Sequence, residues 1–441
     1  MAMALASCAP AVSGRSITAS GSIASRKKRF HCMASTAEVS SWEELSEKVS
    51  RLPGYNAVAA AARLPNVQQR DFGDTSIAQV VFYRDNSSWC PYCQRVWLQL
   101  EEKRIPYKVE KINMNCYGPK PAWYLEKVPS GLLPALELKG QLLTESLDIM
   151  LILEEAFPER HPLLPPKGSP KANAVDGLLR LERLLAGAWL SRLRSFWTKP
   201  GQFEGAMDDV DGALAKFGGP FFLGDTFSLV DAVYAPFLER IAASMPYWQG
   251  VMIRGETRWP HLQAWFDAMD AKPSYQAVKS DDYTITHTLE PQIGACRALP
   301  AGEAYRAKVD GKDGSWDLPL KAEVTAWGRE EGNGNKAEAA QTLVDNNAAV
   351  VGFALRALNS DEKYRESVDL GFRCVAQALV DGVESAAPPA VPQHFSREVA
   401  KAAAYLRDKV GVPRDLSYPA ARQLRAHLHW LVKALGSELY Q

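Results

Sequence analysis

The stretch Cys90-Pro91-Tyr92-Cys93, read with the run Ile77 to Tyr83 ahead of it, decides the fold. Ile77 to Tyr83 is rich in β-branched and aromatic residues and reads as a strand. After the loop Arg84 to Trp89, a helix begins at the cysteine pair. Pro91 suits its first position, and Val96, Trp97 and Leu100 supply an apolar stripe before Glu101, Glu102 and Lys103. Ile105 to Ile112 reads as a second strand. Leu133 to Leu138 and Leu142 to Thr144 read as a hairpin across Lys139-Gly140, and a helix is expected from about Ser146 to Ala156. The order is β-α-β then β-β-α, an α+β arrangement.

The position of the pair carries its chemistry. A thiolate, not a thiol, is the nucleophile. At the N-cap, the Cys90 sulfur faces unpaired backbone amides and the positive end of the helix dipole, and both favour the anion. Arg95, about one turn on, adds positive potential. Cys93 lies one turn inside the helix and is expected to be less exposed, so Cys90 attacks and Cys93 could resolve. The plainer alternative is a pair of packing cysteines. An iron–sulfur cluster is a minor reading, because one chain supplies too few ligands.

Outward from this segment the chain changes character several times. No acidic residue precedes Glu38. Ser and Ala dominate, and the early charges are Arg15 and the cluster Arg26, Lys27, Lys28, Arg29. That composition marks an organelle transit peptide, better a plastid one, over residues 1–33. A merely disordered terminus is the alternative. Residues 34–77 form a helical arm and linker, with Ser41 and Glu44 as a capping box and Pro53-Gly54 as a stop. The α+β segment occupies 78–165 and ends in a Pro-rich linker. Leu178, Leu181, Leu185 and Trp189 then recur at helical steps, and Ser228 with Asp231 makes a second capping box, so 171–290 reads as all-helical. A helical extension fills 300–441, where Val344, Val351, Leu355 and Leu358 share one face and Leu424, Leu428, Leu431 and Leu435 another.

Composition closes off several function classes. The chain has 441 residues, 46% apolar and 23% charged, with 51 basic and 51 acidic side chains. Zero net charge argues against sequence-independent nucleic-acid binding and against an anionic membrane surface. No run approaches the roughly 20 apolar residues of a membrane span. Seven cysteines, two of them in the targeting segment, are too few and too scattered for a disulfide scaffold. No second pair completes a zinc set, so no metal is expected. His427 and His429, two apart on a helix, read as ordinary surface and edge residues.

The Cys90-Pro91-Tyr92-Cys93 motif is similar to the active site of dithiol glutaredoxins, and with the helical domain behind it the chain resembles a cysteine-type glutathione transferase over roughly residues 78 to 280. Three further stretches carry the likeness: Val128 to Pro134, which resembles the loop bearing the family's cis-proline; Thr144-Glu145-Ser146; and Ser228 to Asp231. A plastid-targeted member with a long extension most resembles the iota class. The resemblance implies a thioredoxin-like amino-terminal domain, an all-α transferase domain and glutathione as co-substrate. It also implies a glutathione site: the Leu133 backbone beside cis-Pro134 for the cysteinyl backbone, Ser146 for the γ-glutamyl carboxylate, Glu145 for its ammonium, and Lys120 for the glycyl carboxylate. Each has a plainer reading, as a turn, a helix cap or a solvated charge.

Cys93 departs from the usual cysteine-type pattern of a single Cys, and puts a purely monothiol route in doubt. No Ser or Tyr stands at the helix start to activate glutathione for conjugation; Tyr83, Ser87 and Ser88 lie before it. The sequence therefore favours thiol transfer and reduction of glutathionyl adducts in the chloroplast stroma, with Cys90 as nucleophile. Rival readings are a dithiol protein-disulfide reductase and a non-catalytic carrier of an aromatic plastid metabolite. Trp189, Phe196 and Trp197 are aromatic candidates for the substrate cleft, though such a stripe is more often core. A homodimer is possible, and the extension could dock a protein partner.

Overall fold

The computed structural model describes residues 39–53, 55, 69–73, 80–194, 199, 201–255, 257–321, 324–325, 328–329, 334–386 and 391–436. They belong to one compact unit, Ala37–Gln441; the expected targeting segment lies outside them. The first helix, α1 (Trp42–Ser50), starts where Ser41 and Glu44 predict, with both hydrogen bonds of the capping box formed.

A five-stranded sheet follows. It comprises β1 (Gln69–Arg70), β2 (Val80–Asp85), β3 (Tyr107–Ile112), β4 (Ala135–Leu138) and β5 (Gln141–Leu143), in the order β1-β3-β2-β4-β5. β2 and β3 run parallel from Val80 opposite Tyr107 to Asp85 opposite Ile112, joined by α2 (Pro91–Lys103). β4 pairs antiparallel with β2, and β5 with β4. Lys139 and Gly140 both adopt positive φ, as a tight hairpin turn requires. α3 (Ala122–Lys127) and α4 (Ser146–Ala156) complete this layer.

The strands differ from the sequence expectation at their ends, for local reasons. The first runs on to Asp85, because Arg84 and Asp85 are buried charges that an apolar run does not announce. Its expected start, 77–79, lies outside the described residues. The second begins at Tyr107, since Pro106 has no N–H to give a ladder. Pro134 likewise delays β4 to Ala135.

The all-helical part comprises α5 (Pro170–Arg194), α6 (Gln202–Ala215), α7 (Leu229–Gln249), α8 (Pro260–Asp270) and α9 (Asp282–Ile293). The Asp231 carboxylate organises it. It accepts from the Ser228 and Phe222 amides at 2.9 and 3.1 Å, the Ser228 hydroxyl at 2.6 Å and the Trp265 indole at 2.9 Å. Four donors offset the cost of burying that charge. Trp189 belongs to this core, its indole donating to Ser244 at 2.9 Å, so it does not line a cleft. Phe196 and Trp197 lie outside the described residues.

The extension contributes α10 (Glu303–Val309), α11 (Gly334–Asp345), α12 (Asn347–Ala354), α13 (Arg365–Asp381), α14 (Ser396–Arg407) and α15 (Tyr418–Ala434). It builds its own core, and α1 completes it: Leu45 and Val49 are buried there, and the Trp42 indole donates to Asp369 at 2.7 Å across 327 positions. The two histidines of α15 are buried, not at the surface. His427 Nδ1 donates to the Gln423 carbonyl at 2.7 Å and His429 Nδ1 accepts from Arg407 at 3.1 Å. Burial pushes both imidazoles down to about 4, so they stay neutral in place.

The extension is fastened to the helical part by a buried ion pair. Arg425 Nη1 meets Asp281 Oδ2 at 2.6 Å with both side chains at most 3% exposed, and Arg425 also donates to Val410 O at 2.7 Å. Val412 N donates to Thr284 Oγ1 at 3.0 Å, and the Ser280 hydroxyl donates to Val412 O. Removing one partner of such a pair strands the other charge, so Arg425→Leu is expected to cost about 3 to 5 kcal/mol in urea unfolding. Deleting residues 300–441 should leave an aggregating chain; a soluble, cooperative 1–299 fragment would contradict this anchoring.

Candidate active site

β2 carries the chain to Asp85, and the loop after it is tied down before the cysteines arrive. Asp85 Oδ2 accepts the Trp89 amide at 2.7 Å. Arg84 Nη1 donates to Asp85 O at 2.7 Å and to Ser88 Oγ at 3.0 Å. Cys90 then takes the N-cap of α2 with extended backbone, Pro91 sits at the first position, and Gln94 N donates to Cys90 O at 3.0 Å. The Cys90 sulfur makes no capping bond of its own. Both cysteines are free thiols, Cys90 6% and Cys93 1% exposed. Cys90 is thus deeper than an open nucleophile, but its surroundings are polar: the sulfurs and an Asp85 carboxylate oxygen all lie within 4.8 Å of one another. Burial first, then the hydrogen bond and charge of Cys90, push the Cys93 thiol well up.

The other expected site residues fall around this pair. The Leu133–Pro134 peptide is cis. The β2–β4 ladder ends at Ala135 opposite Tyr83, so Leu133 lies beyond the paired strand, packed beside the core that holds both cysteines. Tyr124 holds the loop by donating to Leu132 O at 2.6 Å. Ser146, buried at the start of α4, accepts from Arg95 Nε at 2.9 Å. Arg95 therefore bridges the two helix starts, with Cys90 also within its electrostatic reach. Glu145 stands exposed at the N-cap of α4 with φ +61°. Lys120 is half-buried; burial lowers its ammonium, and the charges of Cys93 and Cys90 pull it back up. Lys120 thus lies within electrostatic reach of both thiols, Leu133 packs against the core that includes them, Ser146 is joined to the cysteine helix through Arg95, and Glu145 is exposed.

Sequence reading passed over the groups that fix this arrangement from other elements. On α7, Arg240 Nη2 donates to Trp89 O at 2.7 Å and Nη1 to Gln94 Oε1 at 2.9 Å. Gln94 Nε2 donates to Glu239 Oε2 at 2.7 Å. From the extension, Arg414 lies 4.9 Å over the Trp89 ring, and Tyr117 meets that ring edge-on at 5.3 Å. On α5, Glu182 is buried facing Arg95. Arg240 and Glu182 sit on helical stripes with nothing local to mark them, and Asp85 looked like a loop residue.

The family description "Glutathione S-transferase, N-terminal domain" matches residues 89–156, and "Glutathione S-transferase, C-terminal domain" matches 172–268. Protein IN2-1 homolog A of Oryza sativa subsp. japonica is 31% identical over 233 residues, covering 52% of this chain and 91% of that protein. Glutathione S-transferase L2, chloroplastic, of Arabidopsis thaliana is 34% identical over 208 residues, covering 47% of this chain and 68% of the relative. Among solved structures, glutathione transferase Omega 3C from Trametes versicolor matches with a TM-score of 0.40 and 26% identity, over 54% of this chain and 94% of that one.

Glu182 gives the site a pH signature. Burial raises its carboxyl from the ordinary 4.5 to about 7, against the opposing pull of Arg95 and Arg183. Between those values the folded chain holds a proton that the unfolded chain has released, so stability falls as pH rises through that window. Glu182→Gln should remove that slope, gaining about 3 kcal/mol on the wild type between pH 4.5 and pH 7. Urea midpoints across this range would show it; parallel curves would place Glu182 in an ordinary carboxylate environment.

Proposed function

Because the chain belongs to the glutathione S-transferase family, whose co-substrate is glutathione, we propose that it is a thiol transferase that strips glutathionyl groups from adducts and disulfides with Cys90 as nucleophile. The observation that carries the reading is the Cys90 sulfur at the start of α2, with a second thiol beside it. Cys90 thiolate attacks the glutathionyl sulfur of a mixed disulfide, the substrate leaves as its thiolate, and glutathione stays joined to Cys90. Cys93, or a second glutathione, then releases it.

The neighbouring hydroxyls support transfer over conjugation. Tyr83 donates to Glu137 at 3.2 Å and accepts from Lys127 at 2.9 Å, and burial raises its phenol. Ser88 accepts from Arg84, and Ser87 donates to Asn86 at 3.1 Å. Each of these hydroxyls is engaged with a neighbouring side chain. For the bound tripeptide, Leu133 beside Pro134 offers its backbone, Ser146 with Arg95 suits the γ-glutamyl carboxylate, Glu145 the ammonium and Lys120 the glycyl carboxylate. The long extension favours the iota class over the lambda class named in several relatives. The acid-free amino terminus, together with the chloroplastic relative, favours a plastid.

Cys90→Ser should bring turnover of a glutathionylated model disulfide down to the uncatalysed background while leaving the fold intact. Cys93→Ser should keep Cys90 able to take up the glutathionyl group, seen by intact mass, and slow its release. Full turnover by Cys90→Ser would end the proposal.

A further inference from the structure

Away from the thiols, the helical part and the extension enclose a cavity of about 550 Å³. Residues of α7, α8 and α9 line one side of it, and residues of α10, the loop at Trp316 and α15 line the other. Protein interiors are packed to the density of organic crystals, so a space of this size is unusual, and its volume falls in the range of small-molecule sites. Met252, 40% exposed, stands in the wall, so the cavity opens to solvent. Among the described residues, neither cysteine of the pair nor any residue assigned above to glutathione lines it. Tyr305, Trp316, Tyr418, Arg422 and Arg425 lie beyond the residues that the transferase descriptions match.

Charge pairs hold this wall apart. Asp270, at the end of α8, takes Arg254 and Lys279 from the loops before α8 and α9. Asp281 takes Arg425 of α15. Collapse of the space would break buried pairs and strand their charges. The wall leans positive. Lys308 and Arg422 add cations to it, while burial raises the Glu239 and Asp282 carboxyls toward their neutral forms. One donor is left over: Arg425 Nε, in a side chain 3% exposed, has no hydrogen-bond partner among the described residues. A buried N–H without an acceptor is costly, and this one belongs to a guanidinium that lines the cavity. Much of the remaining wall is ring, from Phe266, Tyr275, Tyr283 and Tyr305 to Trp316 and Tyr418.

We propose that this cavity is a ligand site separate from the thiols, taking a small aromatic carboxylate. The acid group is held by the cationic part of the wall, with Arg425 Nε as one donor, and the ring lies among the aromatic side chains. Charge-assisted hydrogen bonds are the strong ones, and a carboxylate matches the planar guanidinium. A flat apolar body fills the ring-lined remainder at little cost in lost rotamers. The extension supplies the guanidinium and half of the rings, so the site exists only where the tail is folded onto the helical part. It does not depend on the thiol-transfer reading.

The test is equilibrium dialysis of 1-naphthoate against the full chain. One molecule should bind per chain, and 1-naphthamide, the same ring with a neutral head, should bind about tenfold more weakly. S-benzylglutathione, which carries both a tripeptide and a ring, should not displace the naphthoate. Arg422→Gln, which keeps a donor for the Lys321 carbonyl, should weaken naphthoate about tenfold and leave the amide unchanged. Lys308→Glu, at an exposed position of the wall, should weaken it about fivefold. Urea midpoints near that of the wild type show that both variants are folded. Photolabelling with 4-azidobenzoate and peptide mass mapping then places the probe, with label expected on α10, the Trp316 loop or α15. The proposal is overturned by any of four results: no saturable naphthoate binding up to about 1 mM, equal affinity for acid and amide, displacement by S-benzylglutathione, or label confined to α2 and its neighbours.

Discussion

Arg240 brings a full positive charge into a place without solvent, and burial pulls its pKa down. Acceptors on three sides keep it charged: the carbonyl of Trp89, the carbonyl of Pro236 and the side-chain oxygen of Gln94, all within 2.9 Å. Two of those acceptors flank the cysteine pair, one residue before Cys90 and one after Cys93. The guanidinium therefore staples the first turn of α2 to α7 at the turn that carries both cysteines. A shift of α2 by an ångström would leave a buried charge without its partners, which costs far more than a loosened apolar contact. The amino-terminal layer supplies the thiols, and the helical part decides where they stand.

The extension prolongs the same constraint. Asp281 and Thr284, at the start of α9, are held by Arg425 and by the backbone of Val412. The loop that follows Val412 then brings Arg414 over the Trp89 ring. Gly411 passes so close that an added Cβ would stand 2.9 Å from Trp89 Cζ2. Trp89 is thus gripped at its carbonyl by α7, at its amide by Asp85, and on its ring by the extension and Tyr117. A tail that sequence alone leaves without a role packs against Trp89, the residue before Cys90.

What could be read from sequence was whatever a few adjacent residues determine. The capping boxes of Ser41 with Glu44 and Ser228 with Asp231, Pro91 at the helix start and the Lys139-Gly140 turn each follow from chemistry spanning four residues or fewer. The misses have the opposite character. Arg240 reaches Gln94 across 146 positions, and α1 finds its partner in α13, so no local pattern announces either. His427 and His429 looked polar enough for the surface, yet each is buried because one distant or neighbouring group satisfies it. Arg84 and Asp85 ended the apparent strand for the same reason. Sequence periodicity sorts residues by polarity, and it fails where a polar residue is buried with a partner supplied from elsewhere.

The charges collected in this way have a consequence for the chemistry. Among the described residues, the cations Arg84, Arg95, Lys120 and Arg240 lie within electrostatic reach of a thiol, Asp85 lies beside both, and Glu182 and Glu239 face Arg95 and Arg240. Burial raises the Glu182 and Glu239 carboxyls, so the frame leans toward positive charge, which suits the thiolate proposed for Cys90. In the proposed transfer, the negative charge of Cys90 leaves with the substrate thiolate when Cys90 accepts a glutathionyl group. Glutathione brings two carboxylates and one ammonium, a net negative charge, into the same frame. The tripeptide thus replaces electrostatically what the sulfur gives up, and in low dielectric such a replacement matters more than in water. A substrate thiol that leaves as an anion carries no such compensation to keep it in the site. Under the proposed reaction such a frame favours holding the glutathionyl half of the disulfide and expelling the other.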